Sequence, residues 1–279
     1  MIAAPPGRLA VAVYGRPMAA PTIGELLREW RTRRRRSQMD LAIDVGVSAR
    51  HLSFVETGRS KPSPELVLAI ARHLDVPLRE RNTLLLAAGF APRFAETPLD
   101  APAMERARAA LQRVLDAHDP YPGVVLDRHW NVVAANTAAG LLAATLPDRL
   151  LGPPMNIFRV SLHPAGLGGR TTNFDEWATY LVTELRRMTV MTADPALDDL
   201  LAEVSAYPNV ADLIARPSWS QPDDPPLLVP CRLEMGGHEL VLFTTLTSFG
   251  TPRDVTLDEL AVELFYPADD ATDRVLRGT

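Results

Sequence analysis

Residues 37–59 read SQMDLAIDVGVSARHLSFVETGR, and the order of caps, small residues and apolar residues in this stretch decides the architecture of the first third of the chain. Two short helices are predicted within it. One runs from Gln38 to Val45, with Ser37 placed to cap its start and Gly46 to end it in left-handed backbone. The other runs from Ala49 to Thr57, opened by Ser48 and stopped by Gly58. Val45-Gly46-Val47-Ser48 is the turn between them, with glycine where the chain must bend sharply. Ala42, four residues before that glycine, is small enough to let the two helices cross closely, and Val47, Leu52 and Val55 supply the apolar side of the second.

The pattern extends outward in both directions. Upstream, Ile23 to Arg33 reads as a helix with Ile23, Leu26, Leu27 and Trp30 on one face. Downstream, Ser63 caps a helix that has Pro64 at its first position and continues to Leu74, and a further helix covers Leu78 to Ala88, closed by Gly89. The expectation is an all-α, five-helix domain over residues 22–91. Residues 1–21 are expected to be a disordered tail: their prolines and the lack of a basic segment ahead of the apolar patch make a poor secretory signal. Met18 stands as an alternative start. APRFAETPLDAP, with prolines at 92, 98 and 102, reads as a linker over residues 92–102.

Residues 103–272 change character. An amphipathic helix from about Ala103 to His118 leads through Asp119-Pro120-Tyr121-Pro122-Gly123 into two strands, Val124–Leu126 and His129–Ala135, with Trp130, Val132 and Ala134 expected inward. Helices are expected at 136–145, 155–163, 174–190, 195–206 and 209–215. After the Pro-rich SQPDDPP come strands at Leu227–Glu234 and Glu239–Ser248, joined by the hairpin signal Met235-Gly236-Gly237-His238. Thr256 to Phe265 fits strand, helix or both, and the tail is expected to fray. Strands, then helices, then strands make an α+β domain with one antiparallel sheet.

Composition narrows the function classes. With 47% hydrophobic and 23% charged residues in 279, the chain is ordinary globular protein, neither disordered throughout nor fibrous. No apolar run approaches 18 residues, so no membrane span is expected. A single cysteine, Cys231, makes neither an intrachain disulfide nor a Cys-based zinc site, which points to a reducing compartment, the cytoplasm. The net charge of −5 hides an asymmetry: residues 1–95 hold 15 Lys+Arg against 8 Asp+Glu, net +7, and the remainder 14 against 26, net −12. That division fits a polyanion-binding module joined to an acidic module with another task.

The Ala42–Gly46 spacing, the caps and the ET-G-R-S-K-P exit within five short helices resemble the helix-turn-helix of the phage-repressor-like (Xre/Cro) family. The resemblance implies that the helix opened by Ser48 enters the major groove of double-stranded DNA. Carried over by position, Ala49, Arg50, His51 and Phe54 are the base-reading residues, with Ser48 at their head. Arg50 suits a guanine edge; Ala49 and Phe54 offer apolar surface to a thymine methyl. Gln38, with the exposed amides near it, is expected on a phosphate, as are Arg59 and Lys61. The basic run Arg33–Arg36 ends the first helix, where cations suit the helix dipole, and at least one of the four is expected on the DNA backbone.

DRHWNVVAAN, NIFRVSLHPAGL, NFDEWATYL and FTTLTSFGTPRDVTLDELAVELFYPAD look like the MmyB-type ligand-binding domain, a PAS-like module that follows a helix-turn-helix in bacterial regulators. In such modules an asparagine after the second strand caps the next helix, the place of Asn136 here. The resemblance implies a regulator that senses a small amphiphilic, fatty-acid-like effector, with no other cofactor. The residues themselves leave the ligand contacts open. Asn156, Arg159 and His163 share one helix face, and Arg159 is placed to hold a ligand carboxylate with their help. Alternatively, Arg159 pairs with Asp127 or Asp175 and His163 caps its helix before Pro164. Trp130, Trp177, Phe243 and Phe249 line an apolar cavity or simply fill the core.

Catalytic signals are absent from the sequence: there is no G-x-S-x-G, H-E-x-x-H or P-loop, and the histidines form no metal-ligand spacing. The glycine-rich stretch 166–170 follows a helix and a proline rather than a strand. The chain therefore reads as a cytoplasmic, sequence-specific DNA-binding transcription regulator, homodimeric because a single helix-turn-helix reads only a few base pairs. Two rival readings make the C-terminal domain a ligand-free dimerisation or protein-interaction platform, or an enzyme carrying a DNA-binding head.

Overall fold

The computed structural model describes residues 21–192, 194–216, 219 and 228–278. The tail expected at 1–21, apart from Pro21, and the SQPDDPP stretch lie outside the described residues. The chain divides into two compact units between Arg93 and Phe94.

The first unit is helical: α1 (Ile23–Arg33), α2 (Gln38–Asp44), α3 (Ala49–Glu56), α4 (Pro64–His73) and α5 (Leu78–Ala87). Serine caps set the starts. Ser37, Ser48 and Ser63 accept from the backbone amides of Asp40, His51 and Leu66 at 3.1, 3.1 and 3.2 Å. Gly46 and Gly58, both at φ +73°, turn the chain out of α2 and α3. Thr22 adds a reciprocal capping box with Glu25 at the start of α1. The core is formed by Leu27, Trp30, Leu41, Leu52, Val55 and Ile70, each burial stabilising by roughly 1.5 to 3 kcal/mol. Ala42 is completely buried at the α2–α3 crossing. Gly24 is a second close approach: a Cβ there stands 2.6 Å from the Glu56 carbonyl oxygen and 2.7 Å from that of Val55.

In the second unit α6 (Glu105–His118) precedes β1 (Gly123–Leu126) and β2 (Val132–Ala135). The helical stretch is α7 (Thr137–Ala143), α8 (Asp148–Leu151), α9 (Ile157–Leu162), α10 (Phe174–Thr192), α11 (Pro195–Ser205) and α12 (Pro208–Ile214). The hairpin β3 (Cys231–Met235) and β4 (His238–Ser248) follows, then α13 (Val255–Asp258), β5 (Ala261–Pro267) and α14 (Asp270–Arg277). The strands form one antiparallel sheet in the order β2-β1-β5-β4-β3. Val125, Val262 and Leu264 point from one face onto Leu111 and Leu115 of α6. Val124, Leu233 and Leu242 point from the other toward α7 and Trp177 of α10. Farther out, α9 to α12 enclose a cluster of Phe158, Val182, Leu185, Leu197 and Val204.

Asn136 joins three of these pieces. Its carbonyl oxygen accepts from Ala139 N and Gly123 N, both at 3.0 Å, while its amide donates to the carbonyls of Tyr121 and Leu115 at 2.8 and 3.3 Å. It caps α7, in the place that the sequence assigns to it.

Three expectations are corrected. The second strand starts at Val132, because Asp127 accepts from the amides of His129 and Asn131 at 2.8 Å and holds the chain in a turn, with Trp130 at φ +65°. A register shift opposite Val125 and Leu126 then leaves Val133 exposed, so Val132 and Ala134 face opposite sides of the sheet rather than one. The segment read as a linker is fastened to the second unit from Ala95 onward: Val255 N donates to the Ala95 carbonyl at 2.8 Å, and Thr97 Oγ1 donates to Asp254 at 2.7 Å. The frayed tail is instead α14, capped by Asp269. Its Thr272 is fully buried and accepts from Val241 N at 2.9 Å.

Candidate functional site

The exposed side of α3 gathers three of the residues assigned to DNA. The Arg50 guanidinium carbon lies 5.3 Å from the centre of the Phe54 ring, and that of Arg59 lies 5.8 Å from it. A cation over an aromatic face is worth about 0.5 to 1 kcal/mol at an exposed site, enough to bias the arginine rotamers. Gly58 makes this possible by turning the chain back, so that Arg59 N donates to the Phe54 carbonyl at 2.8 Å. Lys61 follows, exposed; His51 is half-buried; Ser48 is exposed with its hydroxyl on the α3 cap. Ala49 is half-buried and packs against the helical core, so it offers less apolar surface to a base than expected.

Gln38 has a partner within the fold. Its amide donates to Glu56 Oε2 at 2.7 Å, and Arg31 grips the same carboxylate with bonds of 2.6 and 2.9 Å. Glu56 is 7% exposed. This network braces the ends of α1 and α3 against the start of α2, so Gln38 ties the pair of helices together with one N–H of its amide. The Arg33–Arg36 run is also largely spent on the fold. Arg33 pairs with Glu29, Arg36 pairs with Asp44, and Arg34 donates to the carbonyls of Leu74 and Asp75 at 2.8 and 3.2 Å, closing α4. The sequence shows the charges; it does not show that a carboxylate or a helix C-terminus meets them in space.

The second unit holds a buried apolar cavity of about 60 Å³ between the sheet, α7, α9 and α10. Its walls include Val124, Leu142, Val160, Trp177, Cys231 and Phe265. An engineered cavity of about 150 Å³ takes a benzene, so this one alone does not house a long chain. It shares Pro122, Leu142, Leu233 and Leu242 with a wider cleft of about 430 Å³ that opens between α7 and α14, where Leu141 and Val275 are exposed. Cavity and cleft thus lie side by side with four apolar residues in common, and apolar walls of this kind suit the apolar part of a small molecule. Burial pushes the Cys231 thiol up to about 12, so this cysteine is an apolar wall and not a nucleophile.

Of the residues assigned to the ligand, Trp177 lines the cavity. The rest lie elsewhere. Trp130 packs edge-on to Phe158 at 5.1 Å. Phe249 packs on the α6 side of the sheet. Phe243 stacks on Tyr266 at 5.3 Å. Asn156 is 2% exposed and caps α9, its oxygen accepting from Phe158 N at 3.1 Å and its amide donating to the His129 carbonyl at 2.8 Å.

Asn156, Arg159 and His163, grouped by the sequence, do line one cleft together, a separate and polar one that they share with Glu203 and Tyr207. Arg159 donates to both oxygens of Glu203 in α11, Nε to Oε1 at 2.8 Å and Nη2 to Oε2 at 2.7 Å. This corrects the structural alternative, in which the partner is Asp127 or Asp175. Asp127 holds the Trp130 turn, and Asp175 pairs with Arg216. The Arg159 hydrogen bonds hold the Glu203 carboxyl below the usual range, and burial with the Glu203 contact pushes Tyr207 up to about 12. His163 ends α9, accepting from Ala165 N at 3.0 Å and meeting the Tyr207 ring edge-on at 4.9 Å.

The cavity walls are what sequence reasoning missed. Apolar residues at helix and strand spacing carry the same signal whether they touch a neighbour or an empty volume.

Among the described residues no group of three or more His, Cys, Asp or Glu is placed to hold a metal, and no helix is long and apolar enough to cross a membrane. Comparison with curated proteins finds no match. The family model of the MmyB-like transcription regulator ligand binding domain matches residues 107–278, more than half of the chain, and a helix-turn-helix domain model matches residues 22–84. The chain thus belongs to the MmyB-like family of transcription regulators, in which a DNA-binding helix-turn-helix domain precedes a ligand-binding domain.

Proposed function

We propose that this regulator is a cytoplasmic, Xre-type homodimer that reads its operator with α3 and binds a small amphiphile in its C-terminal domain. The observation that carries the reading is the pairing of an Arg50–Phe54–Arg59 face on a helix-turn-helix, its arginines exposed, with an apolar cavity beside an apolar cleft. Arg50 takes the base-edge role, since a guanidinium matches guanine bidentately, and Arg59 and Lys61 take phosphates. Two-fold pairing doubles the contact and sets half-sites about one helical turn apart. The five-stranded antiparallel sheet, with α7 and α10 over one face, supports the PAS-like reading of the sensor.

The effector belongs to the class that includes the fatty acid implied by sequence resemblance: a polar head and an apolar chain. It acts on DNA only through different affinities for two states of the protein. The test has two parts. Native mass spectrometry of purified protein is expected to show a co-purifying amphiphile, and selection from random DNA is expected to yield a two-fold symmetric site whose affinity changes when that molecule is stripped. Affinity unchanged by stripping refutes the sensor reading, and the lack of any selected sequence refutes the reader.

A further inference from the structure

Two edges of the sheet are closed by the chain itself. The outer side of β3 is met by the segment ahead of α10: Thr172 N donates to the Arg232 carbonyl at 2.8 Å, and Asn173 Oδ1 accepts from Arg232 N at 3.0 Å. At the opposite edge β2 is only four residues long, and its Val132 N donates to the Met155 carbonyl at 2.8 Å. Short strands and covered edges guard against unwanted pairing, because an unpaired edge is a template for another strand.

The far half of β4 forms a third edge. β3 stops at Cys231, opposite Leu242, whereas β4 continues to Ser248 with β5 along its other side throughout. Val241 fixes which residues turn outward: its N–H donates to Thr272 and its carbonyl accepts from Ala268, both on the β5 side. By alternation, Thr244, Leu246 and Ser248 direct their N–H and C=O groups away from β5. Among the described residues no backbone bond meets those groups. None of the usual guards stands here either. The register with β5 runs without a bulge, Thr245, Leu246 and Thr247 are exposed, and neither a charged residue nor a strand proline occurs between Glu239 and Ser248. Residues 96–279 carry a net charge of −12, so an uncharged edge is where two copies approach without setting carboxylates against each other.

We propose that this edge is the dimer interface: Thr244–Ser248 of one protomer pairs antiparallel with the same residues of a second copy, joining the two sheets into one. The inference rests on the homodimer reading and gives it a surface. A strand paired antiparallel with its own copy is two-fold symmetric by construction, as an isologous interface requires. With Leu246 on the axis, Thr244 stands opposite Ser248 and Thr245 opposite Thr247, and every outward N–H meets an outward C=O. The two Leu246 side chains, each 53% exposed in the single chain, cover one another at the centre. The rival occupant is the chain's own stretch ahead of β3. Extending the β3–β4 register backward brings Pro225 opposite Ser248, without an N–H to donate.

Sedimentation equilibrium of the full-length protein at low salt provides the test. Thr245→Glu combined with Thr247→Glu sets carboxylates against each other in both threonine pairs and is expected to raise the dimer Kd at least tenfold. Thr245→Glu combined with Thr247→Lys sets an acid against a base in the same pairs and is expected to stay within about threefold of the unaltered protein. Thermal unfolding checks that both variants keep the fold. A dimer that neither variant weakens overturns the β4 assignment, hands the edge to the chain's own segment and leaves the homodimer reading intact. Equal weakening by both variants overturns the two-fold pairing about Leu246. If the unaltered protein stays monomeric at every concentration, the homodimer reading fails and this inference with it.

Discussion

Removing the carboxylate of Glu56 tests whether the helix-turn-helix is held by a buried ion pair. The Glu56 side chain is 1% exposed and that of Arg31 13%, and Gln38 shares Oε2 with Arg31. Glu56→Ala leaves the Arg31 guanidinium with only its bond to the Arg36 carbonyl and the Gln38 amide without its partner. Breaking a buried pair from one side costs about 3 to 5 kcal/mol, because a desolvated charge is stranded. A small helical domain has a total stability near the low end of about 5 to 15 kcal/mol, so most of it is lost. Residues 22–93 contain one tryptophan, Trp30, buried in the core, and its fluorescence reports unfolding. With a urea dependence of about 1 kcal/mol per M, the midpoint is expected to fall by about 3 to 5 M. Arg31→Met combined with Glu56→Met is expected to recover most of that loss, since two apolar side chains replace the pair without stranding a charge. A midpoint shift below about 1 M for Glu56→Ala, or a double variant no better than the single, refutes the reasoning.

Gly24→Ala puts a Cβ 2.6 Å from the Glu56 carbonyl oxygen, so α1 must move off α3, and a loss of about 1 to 3 kcal/mol is expected by thermal unfolding; an unchanged midpoint contradicts the close packing. Arg50→Ala is expected to cost about 1 to 3 kcal/mol at one operator position, measured by binding to a panel of single-base variants; an unaltered sequence preference removes Arg50 from base reading. Leu142→Trp, on the wall shared by cavity and cleft, is expected to abolish amphiphile binding while leaving operator affinity of the ligand-free protein unchanged, and retained binding in calorimetry places the ligand elsewhere. Glu263 carries a pH signature with a definite sign. Its acid form is favoured by burial, so its contribution is complete below the ordinary value of 4.5, is lost as pH rises toward about 7, and is absent above that. The loss amounts to about 3 kcal/mol at 1.36 kcal/mol per pH unit. Glu263→Gln is expected to remove that slope from urea titrations of the second unit between pH 5 and 8, and a parallel slope in both proteins counts against it.

The helix-turn-helix was legible because its determinants are local. Ser37, Ser48 and Ser63 each bond the amide three residues on, and Gly46 and Gly58 adopt the left-handed backbone that their positions call for. The order of strands and helices in the second unit was legible for the same reason, as was Asn136 as the α7 cap. What stayed hidden is non-local. Glu203 lies 44 residues from Arg159, and no spacing rule joins them. The shifted register of β1 and β2 depends on how Asp127 folds its own turn, and it reverses the side on which Ala134 lies. The α14 helix has a short apolar signal, Val275 and Leu276, among charged residues, and it is secured by Thr272 against β4, far away in sequence. A cavity is harder still, being defined by the atoms that do not meet.

The arginines that close on carboxylates and carbonyls in the first unit also set a thermodynamic exponent. Each phosphate neutralised on B-DNA releases condensed counterions and steepens the fall of log affinity with log salt by about 0.9. Arg31, Arg33 and Arg36 already have carboxylate partners, and Arg34 is tied to two carbonyls. With Arg59, Lys61 and Arg35, the exposed member of the run that none of these bonds engages, as the phosphate contacts, each copy of the domain contributes about −2.7 and a bound pair about −5.4, shallower than the +7 of residues 1–95 suggests. The slope counts the cations that the fold offers to DNA, apart from those it has kept for itself.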